Sequence, residues 1–136
     1  MSIFVDANVF LRFLLDDDQR QASQAEVLFT DAKAGKVDLL CGPPVLFEMA
    51  WTLRSTYGHG RVKVLETLQS LMAMSGIRFL DRDLIESALQ IAEAHQMEFA
   101  DAYIAASAQK HKAALATFNT KDFKRSGLKL RTLNGA

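Results

Sequence analysis

The chain has 136 residues, of which 49% are hydrophobic and 24% charged, enough apolar material for one domain with a real core and ordinary for a soluble globular protein. Lysine plus arginine number 16 and aspartate plus glutamate 16, so the formal net charge of +0 neither demands nor excludes a nucleic-acid partner; distribution decides that. A single cysteine, Cys41, excludes an intrachain disulfide; no apolar run reaches membrane-spanning length and no basic segment leads into a secretory one, so a cytoplasmic protein is expected.

The apolar run Ile3-Phe4-Val5 predicts a buried strand that ends at Asp6, where open α/β sheets place their ligands. Phe10, Leu11, Phe13, Leu14 and Leu15 continue at helical spacing, with Asn8 as the expected N-cap. Asp16-Asp17-Asp18 is a charged break. From Gln19 to Lys36 the pattern is helical again, with Ala22, Ala25, Leu28, Phe29 and Ala32 on one face and Gly35 as the stop. Val37 to Cys41 predicts a second strand, with Cys41 as a small buried side chain.

Gly42-Pro43-Pro44 then opens a helix, since proline is accepted in a first turn. Val45, Phe47, Met49, Ala50, Trp51 and Leu53 are apolar and Glu48 stands among them; Trp51 reads as packing. Tyr57-Gly58-His59-Gly60 breaks this helix, and Val62, Leu65, Leu68, Leu71 and Met72 form the next stripe up to Gly76. Ile77 to Leu80 predicts a third strand. Asp81 or Asp83 can cap the following helix, whose face is Leu84, Ile85, Ala88, Leu89, Ile91 and Ala92. An alanine-rich helix is expected from Asp101 to Lys112, a fourth strand over Ala114–Phe118, and a fifth, short one between Leu128 and Leu133.

Short strands alternating with helices imply parallel pairing and right-handed crossovers. The expected fold is a three-layer α/β/α sandwich with a short central parallel sheet, formed by residues 1–133 as one domain, with 134–136 a short C-terminal end.

Asp6, Glu48 and Asp101 stand where acids are awkward, and Asn119 is a further polar position after the fourth strand, with Asp122 one helical turn later. Each has an ordinary explanation alone: a cap or turn former for Asp6 and Asp122, a favourable helix dipole for Glu48 and Asp101. In a single parallel sheet, however, all strand carboxyl ends lie on one edge, so Asp6, Glu48 and Asn119 would converge there. Converging carboxylates repel one another and raise each other's pKa unless a cation intervenes. Oxygen-only donors without a Cys/His cluster suit Mg²⁺ or Mn²⁺ rather than Zn²⁺. Such an ion contacts substrate phosphate and lowers the pKa of a bound water, and the natural chemistry is phosphodiester hydrolysis. Lys110, Lys112, Lys121, Lys124, Arg125, Lys129 and Arg131 stand against the single acid Asp122 in the same segment. Beside a metal cleft that excess reads as a phosphate-backbone surface; by itself it is an ordinary solvated face.

These residues resemble the PIN-domain family of metal-dependent ribonucleases, and within it the VapC-type toxins of toxin–antitoxin pairs. Phe4-Val5-Asp6-Ala7-Asn8-Val9-Phe10 looks like the first acidic motif and Val45-Leu46-Phe47-Glu48-Met49-Ala50 like the second. Phe99-Ala100-Asp101-Ala102-Tyr103-Ile104-Ala105-Ala106 looks like the third, and Ala116-Thr117-Phe118-Asn119-Thr120-Lys121-Asp122-Phe123 like the fourth. The resemblance implies Mg²⁺ or Mn²⁺ held by Asp6 and Asp101 with help from Glu48, endonucleolytic cleavage of RNA, a homodimer, and a cognate antitoxin that inserts a segment into the active-site groove. At the fourth position the family often carries an aspartate where this chain has Asn119, which can offer a neutral oxygen or hold a water but adds no charge; Asp122 could compensate, although it reads first as a helix-start residue. Asn8 could orient the Asp6 carboxylate. His59, His95 and His111 receive no catalytic role, and Arg54 is read as a surface arginine. Two other readings stay open: a PIN-like domain that binds RNA or a partner without cutting, and a haloacid-dehalogenase-like phosphatase, which wants an acid two positions after the first where this chain has Asn8.

Overall fold

Phe4 is followed by Val5, whose N–H donates to Leu40 O at 2.9 Å, so the first strand is tied at its carboxyl end to the second. The computed structural model describes residues 1–15 and 17–133; Asp16 and the short C-terminal end at 134–136 lie outside the described residues. The chain divides into two compact units, the first ending at Asp81 and the second beginning at Arg82.

The first unit runs β1 (Ser2–Phe4), α1 (Ala7–Leu14), α2 (Gln19–Lys33), β2 (Asp38–Cys41), α3 (Pro43–Ser55), α4 (Arg61–Met72) and β3 (Ile77–Phe79). Its strands form one parallel sheet in the order β1-β2-β3, with Ile3 opposite Leu39 and Leu40 opposite Arg78. Pairs of helices fill each crossover: α1 packs on α2 and α3, and α3 on α4. The core holds Val5, Phe10, Leu39, Leu46, Met49, Leu53, Leu68 and Leu71, all 2% exposed or less. Phe10 stacks on Phe29 at 5.3 Å and Phe13 meets the same ring edge-on at 4.9 Å, which locks α1 to α2. At the outer end of α1, Arg12 donates to Gln21 and Asp17, and the Tyr57 hydroxyl donates to Asp17 at 2.6 Å. Cys41 is fully buried on the central strand, and burial pushes its thiol up to about 11.

Gly76 makes the turn into β3. Its φ is +86°, and a Cβ there would stand 2.8 Å from the backbone carbon of Ala32, so only glycine fits the junction with α2. Asp18 caps α2 by accepting from Gln21 N at 3.0 Å, and Pro43 and Pro44 open α3 as expected. Two readings of this unit need correction. The N-cap of α1 is Asp6, not Asn8: the helix begins at Ala7, whose N–H donates to Asp6 Oδ1 at 2.7 Å. Trp51 is not a packing residue either; it is 69% exposed, because α3 is apolar nearly all round and its pattern cannot say which face turns inward.

The second unit runs α5 (Arg82–His95), α6 (Phe99–Lys110), β4 (Leu115–Ala116), α7 (Thr120–Lys124) and β5 (Leu130–Arg131). Helices α5 and α6 pack closely along small side chains, Ala88 and Ala92 on one and Ala102, Ala105 and Ala106 on the other, all buried. Arg125 donates to Gln96 O at 3.3 Å, tying the segment after α7 to the α5–α6 connection. Strands β4 and β5 pair in parallel as a separate two-stranded sheet. The fold is thus of the expected α/β class with short parallel strands, but β4 is not a fourth strand of the first sheet. Asp6 and the start of α3 therefore share an edge of the first sheet, whereas Asn119 follows a strand of the second.

Candidate functional site

Asp6 stands one residue beyond the buried Val5 and caps α1, which fixes its backbone and commits one carboxylate oxygen to Ala7 N. The other oxygen is left to solvent on an exposed side chain. Glu48 lies in the second turn of α3, exposed, and its carboxylate has no hydrogen-bond or ion-pair partner among the described residues. Because β1 and β2 are adjacent and parallel, Asp6 and the start of α3 leave the sheet at the same edge. A groove of about 480 Å³ opens in this unit from Asn8 along α1 and α2, past Val9, Arg12, Gln21, Gln24 and Leu28.

In the second unit Asp101 is the third residue of α6, half-buried, and likewise has no hydrogen-bond or ion-pair partner among the described residues. Its carboxyl is held above the ordinary aspartate range, first by burial and then by the negative charges of Asp122 and Glu98. Asn119 precedes α7, is exposed, and donates from Nδ2 to Asp122 Oδ2 at 3.0 Å. Its own N–H donates to Thr117 Oγ1 at 3.0 Å, which gives Thr117 its place in the loop. Glu98 and Asp122 were not singled out as neighbours of Asp101 from the sequence; Glu98 precedes Asp101 by three residues, a spacing that could have signalled it, whereas Asp122 lies on a different helix and carries no such signal.

The structure places Asp6 and Glu48 in the first unit, and Asp101 and Asn119 in the second. Among the described residues no group of three or more His, Cys, Asp or Glu side chains is arranged to hold a metal ion. The donors themselves fit a hard divalent cation: exposed or half-exposed carboxylate oxygens, with Asp101 repelled by two acidic neighbours and lacking a compensating cation. Lys110, Lys112, Lys121, Lys124, Arg125, Lys129 and Arg131 are all exposed, and none forms an ion pair among the described residues. His59 has a buried Nδ1 without a hydrogen-bond partner among the described residues, beside the Tyr57 ring at 6.1 Å. No described helix is long and apolar enough to cross a membrane.

The model of the PIN domain matches residues 3–127, and the chain belongs to the PIN domain family. PIN domains are generally nucleases and typically use divalent metal ions. Solved structures similar to it include VapBC2 from Rickettsia felis bound to a promoter DNA fragment, at 14% identity over 96% of this chain and 98% of that one, with a TM-score of 0.39. FitAB bound to an IR36 DNA fragment is 21% identical over 99% of both chains, TM-score 0.37. A toxin–antitoxin complex from Klebsiella pneumoniae is 22% identical over 90% of both chains, TM-score 0.32. Scores this low add nothing to what the family match already gives. A search of curated proteins returned no match.

Proposed function

We propose that this PIN domain is a Mg²⁺- or Mn²⁺-dependent endoribonuclease, the toxin of a toxin–antitoxin pair, working in the cytoplasm as a homodimer held in check by a cognate antitoxin. Asp6, Glu48 and Asp101 are the proposed metal ligands, and Asn119 is the assisting residue of the fourth motif. The observation that carries the reading is Asp101, a half-buried carboxylate that burial and acidic neighbours make costly and that no cationic side chain relieves. The helix dipole favours an aspartate in a first turn, but a half-buried one left beside two further acids with no cationic partner marks a candidate metal ligand. The toxin role, the RNA substrate and the antitoxin rest on the resemblance of the motifs in order along the chain.

The ion, when bound, supplies an activated water and charge for the phosphate undergoing in-line attack. Asp6, fixed as a helix cap, offers its second oxygen from a rigid support, and Glu48 offers both of its own. The lysines and arginines between Lys110 and Arg131 hold the RNA backbone without reading its bases. Family membership leaves the phosphatase reading without support. The test is cleavage of single-stranded RNA in Mg²⁺ by the wild type and by D6N and D101N. Both folded variants are expected to lose activity by a factor of at least ~10². Undiminished cleavage by either would remove the mechanism, and an inactive wild type that still binds RNA would favour the non-cleaving alternative.

A further inference from the structure

Phe118 is 93% exposed, more than any other aromatic side chain among the described residues, and its ring meets no other ring among them. One apolar side chain in solvent is ordinary by itself; its setting here is not. The Asn119 N–H donates across Phe118 to Thr117 Oγ1 at 3.0 Å, and the Asn119 side chain donates to Asp122 at 3.0 Å, so the backbone on both sides of the ring is held. Phe123 of the same segment is buried and supplies its core contact, which leaves Phe118 displayed from a fixed turn. Cations stand to either side along the chain. Arg131 is the register partner of Ala116, the last residue of β4, and Lys121 lies in the first turn of α7. Both are exposed and neither forms an ion pair among the described residues.

Resting on the RNA-directed reading above, we propose that Phe118 is a stacking platform for an unpaired base of the RNA, with Arg131 and Lys121 taking the phosphates on either side of that nucleotide. A nucleotide offers a flat π face and a negative charge, and an exposed ring between two cations answers both. A protein side chain docked on the ring would leave the two cations to lose water without gaining a partner. Bases inside a double helix are covered by their neighbours, so the platform selects single strands and splayed-out loop nucleotides. Every base has a π face, so stacking adds affinity without naming a sequence. Phe118 directly precedes Asn119, so a base seated on it sets the register of the strand beside the fourth motif.

The experiment is fluorescence anisotropy of a labelled single-stranded RNA of about ten nucleotides with the full chain in EDTA, so that no cleavage is involved. F118A is expected to weaken binding about 5–150-fold, F118L about as much, and F118W to bind as tightly as wild type or tighter. The loss in F118A is expected at every salt concentration with the slope of log affinity against log salt unchanged, since a ring releases no counterions, whereas R131A lowers that slope by about 0.7. Duplex RNA of the same length is expected to bind F118A as it binds wild type. Thermal melts of the Phe118 variants are expected to match wild type, because a solvated ring contributes no packing. Wild-type affinity for the single strand in F118A overturns the proposal, and so does full affinity in F118L, which would make the ring an apolar contact only. Self-association lost in F118A with RNA binding intact overturns it too, since the ring would then face a second copy of the chain. A wild type that binds no single-stranded RNA sinks the RNA reading itself and this inference with it, whereas a chain that binds through Phe118 but cleaves nothing in Mg²⁺ upholds the platform and sinks only the nuclease.

Discussion

Asp101 links the electrostatics of the site to the stability of the fold. A carboxylate whose pKa is raised on folding binds its proton more tightly in the folded chain, so folding is favoured at low pH and loses that margin as pH rises through the raised value. D101N removes the loss: its melting temperature is expected to exceed the wild type's at pH 7, by a few degrees at most, and to match it near pH 3. The same aspartate predicts the response to metal. An ion that binds only the folded state stabilises it by about 2.7 kcal/mol at a hundred times its dissociation constant. Wild-type chain is therefore expected to melt several degrees higher in saturating Mn²⁺, and D101N to show little change. A metal-insensitive melt of the wild type would count against a resident ion.

Among the elements, the junction of α2 with β3 is the least forgiving. G76A must hold a positive φ and push a Cβ into the backbone of Ala32, and a loss of about 2–3 kcal/mol is expected in urea unfolding. Strands β2 and β3 are joined at their exposed side by Arg78, which donates to both oxygens of Asp38, with Ser2 donating from β1. These bonds hold the Asp38 carboxyl down to about 2, so their contribution is present above the ordinary carboxylate pKa and disappears as pH falls through about 2. R78Q is expected to be slightly less stable than wild type at pH 5–7 and to converge with it near pH 2; a gap that persists into acid would mean the arginine acts by packing. Much at this scale was legible beforehand. Gly42-Pro43-Pro44 marked the entry to α3, and Ala25, Phe29 and Ala32 marked the buried side of α2. What could not be read was sheet membership: β4 and β5 are two residues each, too short to carry the alternation that sets pairing. The Asn119–Asp122 bond was equally hidden, because it depends on where a five-residue helix begins.

For the whole molecule, balanced totals conceal an uneven distribution. The net charge is +0, yet the exposed lysines and arginines from Lys110 to Arg131 face one acid in their segment, and that acid is held by Asn119. If they contact RNA phosphates, binding weakens steeply with salt, and each contact removed by alanine lowers the slope of log affinity against log salt by about 0.7 for a single strand. K129A/R131A is expected to lower that slope by about one to one and a half and to weaken all RNA sequences alike; a salt-independent affinity would place RNA elsewhere. The acids of the candidate site were visible from sequence by position, since each follows an apolar run, but their state of compensation was not, because that depends on which cations the fold leaves at a distance.

Cys41 gives this protein an internal clock. A fully sequestered thiol held at about 11 reacts with an alkylating or disulfide reagent only when the central strand of the first unit opens, and there is no other sulfhydryl to confuse the signal. The rate of its modification therefore times the breathing of β2 directly, with no label added.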